Sequence, residues 1–188
     1  MRLLGILLLI FTEIGAPAQP LVDYHQHLFH PDATGLAPDT GTITASELVA
    51  FLDAAGIRRA VVLSVAYQFG NPNRPAVEDE YAKVRAENDW TSEQVARFPD
   101  RLRGFCALNP LRDYALRELA RCAKDPRLHY GLKLHFGNSD VDLDNSAHVR
   151  RLRQVFREAN RRRMAIVVHM RSSVTRKPRT APSRPERS

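Results

Sequence analysis

The sequence predicts an α/β chain that supplies the first five βα units of a parallel (β/α)8 barrel of the TIM type. Three observations lead there. Short apolar runs rich in β-branched residues alternate with longer helical patterns along residues 21–170. The units repeat about every 30–40 residues, whereas a complete barrel needs eight of them and about 250 residues. No Gly-rich turn follows the first strand and no P-loop occurs, so the usual markers of an open nucleotide-binding sheet are missing.

The elements follow in order. Leu21-Val22-Asp23-Tyr24-His25 reads as a short first strand. Thr44 opens a helix, with Glu47 placed for a capping box and Gly56 able to close it in the left-handed region. Ala60-Val61-Val62-Leu63-Ser64-Val65 is a continuous apolar run, as expected of a strand buried on both faces. A Gly/Asn/Pro loop over 67–75 leads to a polar helix from about Val77 to Phe98. Leu102–Leu108 is the third strand. Asp113 is placed to cap the next helix, which carries Leu116, Leu119, Ala120 and Ala123. Gly131-Leu132-Lys133-Leu134-His135-Phe136 is the fourth strand, and an acidic loop with Asp140, Asp142 and Asp144 follows it. A helix with Val149, Leu152, Val155, Phe156 and Ala159 at helical spacing turns an arginine-rich face to solvent. Ala165–Met170 is the fifth strand.

Three segments divide the 188 residues. Residues 1–18 read as a secretory signal: Arg2, then an apolar run over Leu3–Phe11 too short to span a bilayer, then Ala16-Pro17-Ala18 before cleavage near Gln19. That implies a periplasmic or secreted protein with no membrane contact after cleavage. Residues 19–170 form the barrel part. Residues 171–188 read as a disordered basic tail, with six cations against Glu186 alone, so the tail holds five of the seven net positive charges. The basicity therefore does not describe a nucleic-acid face, and no aromatic residues interleave it for base stacking. The abrupt change after Met170 reads as a truncation of a longer barrel. A five-strand arc would leave its first and last strands as open edges, open to self-association.

Four of the seven histidines, His25, His27, His135 and His169, fall at the C-terminal ends of strands, where barrel enzymes place their chemistry. His25 and His27, two residues apart on one strand, share a face and can converge on one ion; Asp23 lies on that face too. His169 enters from the fifth strand. These three are the candidate metal ligands. Lys133 and His135 share a face of the fourth strand and are the candidate catalytic pair, able to touch metal or substrate or to act from behind the ligands. His30, His129 and His148 read as surface residues. Cys106 and Cys122 lie on a strand and on the following helix, and layer spacing of about 10 Å predicts two free, largely buried thiols.

Asp23-Tyr24-His25-Gln26-His27, Gly131–His135 and Val167-Val168-His169 resemble the amidohydrolase superfamily, and within it the amidohydrolase-related branch that includes resorcylate decarboxylases. The resemblance covers residues 21 to about 170. It implies a divalent ion, zinc above all, held by His25, His27 and His169 with an aspartate from the end of an eighth strand. It implies a small-molecule substrate and hydrolysis of an amide, ester or lactone by metal-activated water, with non-oxidative decarboxylation as the alternative. This chain has no eighth strand to offer that aspartate, so the resemblance also implies a chain that is inactive by itself; a non-catalytic, basic-tailed binding protein is the reading from outside enzymology.

Overall fold

The computed structural model describes residues 21–30 and 41–170. The signal segment and the basic tail lie outside the described residues. The elements are β1 (Val22–Gln26), α1 (Ala45–Ala54), β2 (Arg59–Leu63), α2 (Glu80–Ala96), β3 (Leu102–Ala107), α3 (Ala115–Cys122), β4 (Gly131–His135), α4 (Ser146–Arg161) and β5 (Ala165–His169). All strand pairs are parallel, and the sheet order β1-β2-β3-β4-β5 is the chain order. This is a half-barrel of five parallel strands, with four α-helices alternating between them among the described residues. Its open edges are β1 and β5, and Tyr24 and Met170 there are 70% and 62% exposed.

Local chemistry sets the element ends. The capping box forms: Thr44 accepts from the Glu47 backbone, and Glu47 reaches back to the Thr44 backbone N–H at 2.7 Å. Gly56 takes φ +69°, which a side chain would resist, and the chain turns into β2. Asn145 caps α4 by accepting from the backbone of Ala147 and His148. Two expected boundaries move. The second helix begins at Glu80, after the left-handed Asp79, rather than near Val77. Asp113 does not cap α3; the helix opens one residue later from Tyr114, without a side-chain cap.

Two apolar clusters lie between the sheet and the helices. One joins Leu108, Leu119, Leu132, Leu134, Leu152 and Val155 across β4, α3 and α4. The other joins Leu48, Leu52, Val62, Val95 and Leu102 across α1, β2 and α2. At Gly131 a Cβ would lie 2.2 Å from the Phe105 ring, so the start of β4 packs against that aromatic only because the residue is glycine.

The inward face of α2 is polar, which its composition had not made visible as burial. Asn88 brackets Ala107 at the end of β3, donating to its carbonyl and accepting from its N–H, both at 3.0 Å. The same amide donates to Glu118 of α3 at 2.8 Å. Glu118 is fully buried and is held by both terminal contacts of Arg121.

Immediately before Asn88, Glu87 is 5% exposed, and burial pushes its carboxyl up to about 8. Between pH 4.5 and 8 the fold therefore keeps a proton that the unfolded chain releases, and stability falls as pH rises through that window. Glu87→Gln should raise the melting temperature at pH 8, by an effect of about 2–4 kcal/mol, and leave it unchanged at pH 4. Equal melting of the two proteins at pH 8 would show that the carboxyl ionises in place without cost.

Candidate functional site

The C-terminal ends of β1, β4 and β5 bring together all five predicted residues. His25 lies inside an irregularity of β1, where the register passes from Asp23↔Ala60 to Gln26↔Val62. Simple strand alternation therefore does not place the pair. The His25 and His27 rings nevertheless meet edge to face, with centroids 5.2 Å apart. Asp23 touches neither ring through its hydrogen bonds. It accepts from the His25 backbone N–H at 2.9 Å and from the Gln26 amide at 2.6 Å, so it braces the irregular turn.

His27 reaches across to β2. Its Nδ1 sits 2.7 Å from the Leu63 carbonyl, which can only accept, so Nδ1 carries the hydrogen and Nε2 keeps its lone pair. Burial holds this imidazole down to about 4, helped by the charges of Lys133, His25 and His169 and opposed by the Leu63 hydrogen bond. His25 is also held below the ordinary histidine range, first by desolvation and then by Lys133 and His169.

Lys133 is fully buried, and its Nζ lies 3.3 Å from His25 Nε2. Burial lowers its pKa, so the amine loses its proton more readily than a surface lysine. His135, 4% exposed, pairs in register with His169 across β4 and β5. Their rings stack at 4.1 Å with only 13° between planes. His135 Nδ1 accepts from the Asn138 backbone N–H at 3.0 Å, which leaves the neutral ring's proton on Nε2.

Three residues of this mouth were not singled out in the sequence. Tyr67, just past β2, stacks on the opposite side of His135 at 5.2 Å. Its hydroxyl is pushed up to about 12 by burial, so it stays protonated. Asn138 donates to Gln68 at 3.3 Å and ties the loop after β4 to the loop after β2. The available signal was position: Tyr67 and Gln68 directly follow an apolar strand. Of the three histidines read as surface, His129 is exposed, but His30 is half-buried edge-on to Trp90, and half-buried His148 accepts from the Asp142 backbone.

The donor chemistry of His25, His27 and His169 suits a borderline divalent ion: three imidazoles, with the tautomer of one fixed by a carbonyl behind it. Their nitrogens are not drawn into a common cluster. Among the described residues, the single trio with ligand atoms all within 4.8 Å of one another is Cys106, Glu118 and Cys122. Closing the histidines on an ion therefore takes a ring rotation. The cysteine trio is already committed otherwise, because Cys106 and Cys122 are joined as a disulfide. This corrects the expectation of two free thiols. Sheet-to-sheet spacing was the wrong guide: α3 packs directly on its own strand through Ala115 and Leu119, and the two Cα atoms are 6.0 Å apart.

Protein-family models give no match to this chain. A gamma-resorcylate decarboxylase from Polaromonas sp. (strain JS666 / ATCC BAA-500) is 46% identical over a stretch covering 28% of this chain and 18% of that enzyme. Among solved structures, a 5-carboxyvanillate decarboxylase from Sphingomonas paucimobilis superposes with a TM-score of 0.57 at 18% identity, over 81% of this chain and 52% of that one. A 2,6-dihydroxybenzoate decarboxylase complexed with 2,6-dihydroxybenzoate gives 0.58 at 22% identity, over 86% and 53%. A probable 2-pyrone-4,6-dicarboxylic acid hydrolase from Acinetobacter baumannii, with citric acid bound, gives 0.52 at 17% identity, over 80% and 49%. The chain has the fold of the amidohydrolase enzymes. It spans about half the length of these structures. In the amidohydrolase fold the mouth described above is the end of the barrel where barrel enzymes work.

Proposed function

We propose that this chain carries the metal-binding half of an active site for non-oxidative decarboxylation of a small hydroxylated aryl carboxylate. The observation that carries this reading is the local 46% identity to a gamma-resorcylate decarboxylase, supported by two further decarboxylases of the same fold. His25, His27 and His169 would hold a divalent ion, zinc by the all-imidazole donor set. An ion held there would supply positive charge to a substrate's carboxylate.

The chain's own residues then have separate tasks. The Leu63 carbonyl fixes which nitrogen His27 presents. The face-to-face stack of Tyr67, His135 and His169 gives the mouth a flat wall suited to a planar ring. Lys133 and His135 are the proton carriers, the first through Nζ and the second through Nε2. In the reaction the bond between ring carbon and carboxylate breaks, carbon dioxide leaves, and the pair left on the ring carbon takes a proton from one of these two groups.

Hydrolysis of an ester or lactone is the second reading, favoured by the likeness to the 2-pyrone-4,6-dicarboxylic acid hydrolase. There the ion would lower the pKa of a water to about 7. Export belongs to the same proposal: a buried disulfide is a bond that an oxidising compartment keeps.

The test has two parts. Metal content is read first, with one zinc per chain expected. Then carbon dioxide release from 2,6-dihydroxybenzoate is compared with opening of a pyrone lactone in the chain joined to the C-terminal half of a decarboxylase of the same fold, with and without His27→Ala. Metal-dependent decarboxylation lost in the variant supports the first reading. Lactone opening without decarboxylation selects the second. A chain that binds no divalent ion is incompatible with both.

A further inference from the structure

Behind the C-terminal end of β3 lies a closed ring of contacts between β3, α2 and α3. Cys106 sits on β3, and Cys122 ends α3; both are fully buried. Next to Cys106, Ala107 is bracketed by the Asn88 amide. Asn88 donates to Glu118 Oε1, and the same Oε1 lies 3.6 Å from Cys122 Sγ. The disulfide closes the ring. The helix is therefore held to the strand twice, once by the covalent bond and once by the Asn88–Glu118 bridge.

We propose that Cys106 and Cys122 form a reversible dithiol–disulfide pair, and that Glu118 holds the reduced state by accepting the Cys122 thiol proton in a hydrogen bond. In the disulfide, Cys122 sulfur has no hydrogen to give. After reduction it has one, directed at a buried carboxylate oxygen 3.6 Å away that already accepts from Asn88 and Arg121. The hydrogen bonds that span the layer do not involve the sulfur–sulfur bond, so both redox states keep one fold. The exchange is with a small thiol or disulfide of the glutathione class: two reagent thiols become one reagent disulfide while Cys106–Cys122 becomes two thiols, with every proton and sulfur accounted for. Burial of both sulfurs means that the reagent reaches them only when α3 opens.

The consequence reaches the mouth. Ala107, beside Cys106, is the β-ladder partner of Lys133, and β3 and β4 share only the pairs Cys106↔Leu132 and Ala107↔Lys133. The staple thus holds the strand on which the buried lysine's register rests.

The experiment equilibrates the full chain in buffers of graded reduced-to-oxidised glutathione ratio. Samples are alkylated under denaturing conditions for intact mass, and parallel samples are melted. One two-thiol transition is expected, with cooperative melting on both sides and a melting temperature lower by on the order of 5–10 °C in the reduced form, from a closed loop of sequence separation 16. Cys106→Ala and Cys122→Ala should each melt near the reduced wild type and ignore reductant. Glu118→Gln keeps the volume but weakens the acceptor, and should move the midpoint severalfold toward the oxidised form. Full alkylation of both cysteines at every ratio would overturn the proposal. So would loss of cooperative melting on reduction. Cadmium chloride added to the reduced protein is the third arm: a stoichiometric cadmium–thiolate absorption band would assign Cys106, Glu118 and Cys122 to a soft ion instead.

Discussion

Replacing His25 and His27 together with alanine is expected to remove stoichiometric divalent metal from the protein, taking it from about one ion per chain to background. Each single replacement should weaken the metal by at least about 100-fold, because even residues that only orient a ligand cost 10–100-fold. His27 should be the more sensitive of the two. Its ring is held from behind by the Leu63 carbonyl, so its free nitrogen has one direction, while His25 shares its Nε2 with Lys133. The readout is metal content after dialysis, with His129→Ala as the exposed control. Full retention of zinc in the double variant would end the assignment.

The same pair predicts an acid response of the metal-free chain. His27 is held at about 4 in the fold, against 6.5 for a free imidazole. The unfolded chain then binds a proton that the fold refuses, and stability is lost as pH falls from 6.5 towards 4. Glu87, raised to about 8, runs the other way between 4.5 and 8. The two slopes oppose each other from pH 4.5 to 6.5, so the wild type should be nearly flat there. In Glu87→Gln the histidine slope should emerge alone. A flat profile in that variant too would mean that His27 titrates freely.

The parts of the fold legible in the sequence are those with a short-range cause. Ala60–Leu63 and Ala165–His169 are short, apolar, β-branched runs that read as strands, although only the first lies inside the sheet and the second forms its edge, and Thr44 with Glu47 is a local device that works wherever it is placed. The convergence of His25, His27, Lys133, His135 and His169 was legible because strand order and the C-terminal face follow from βα alternation alone. What needed coordinates were distances between layers. Nothing in the spacing of Cys106 and Cys122 says that α3 lies close enough to its own strand for a disulfide. The polar composition of α2 suggested a solvated helix, whereas Asn88 faces inward because β3 ends there and its last backbone groups need partners, and Glu87 beside it is buried as well. The stack of Tyr67 on His135 joins loops after different strands, and no local pattern encodes it.

Lys133→Met is expected to stabilise the protein while lowering turnover of the completed barrel by at least about 100-fold, the span that a positioned proton carrier supplies. Lys133 is among the largest fully buried side chains, and among the described residues no carboxylate pairs with it; its polar contact is His25 Nε2 at 3.3 Å. Burial lowers its pKa, so below the ordinary lysine range the fold bears the cost of either stripping or burying the charge. Methionine keeps the length and discards the amine, and replacing buried charge with packed apolar atoms is neutral or stabilising by about 1–4 kcal/mol. The sign in pH follows. With the folded pKa below 10.5, the fold binds fewer protons than the unfolded chain in the window up to 10.5, so wild-type stability rises with pH there. The gain from methionine should therefore be largest at neutral pH and shrink towards pH 10. Melting in the metal-free form at pH 7 and pH 10 measures that difference, and zinc content shows whether the three imidazoles remain competent. A residue retained only for packing would give the reverse pattern, with lower stability and unchanged turnover. Lys133 Nζ sits 3.3 Å from His25 Nε2, and opposed signs of the two effects would assign this buried lysine to the chemistry of the mouth.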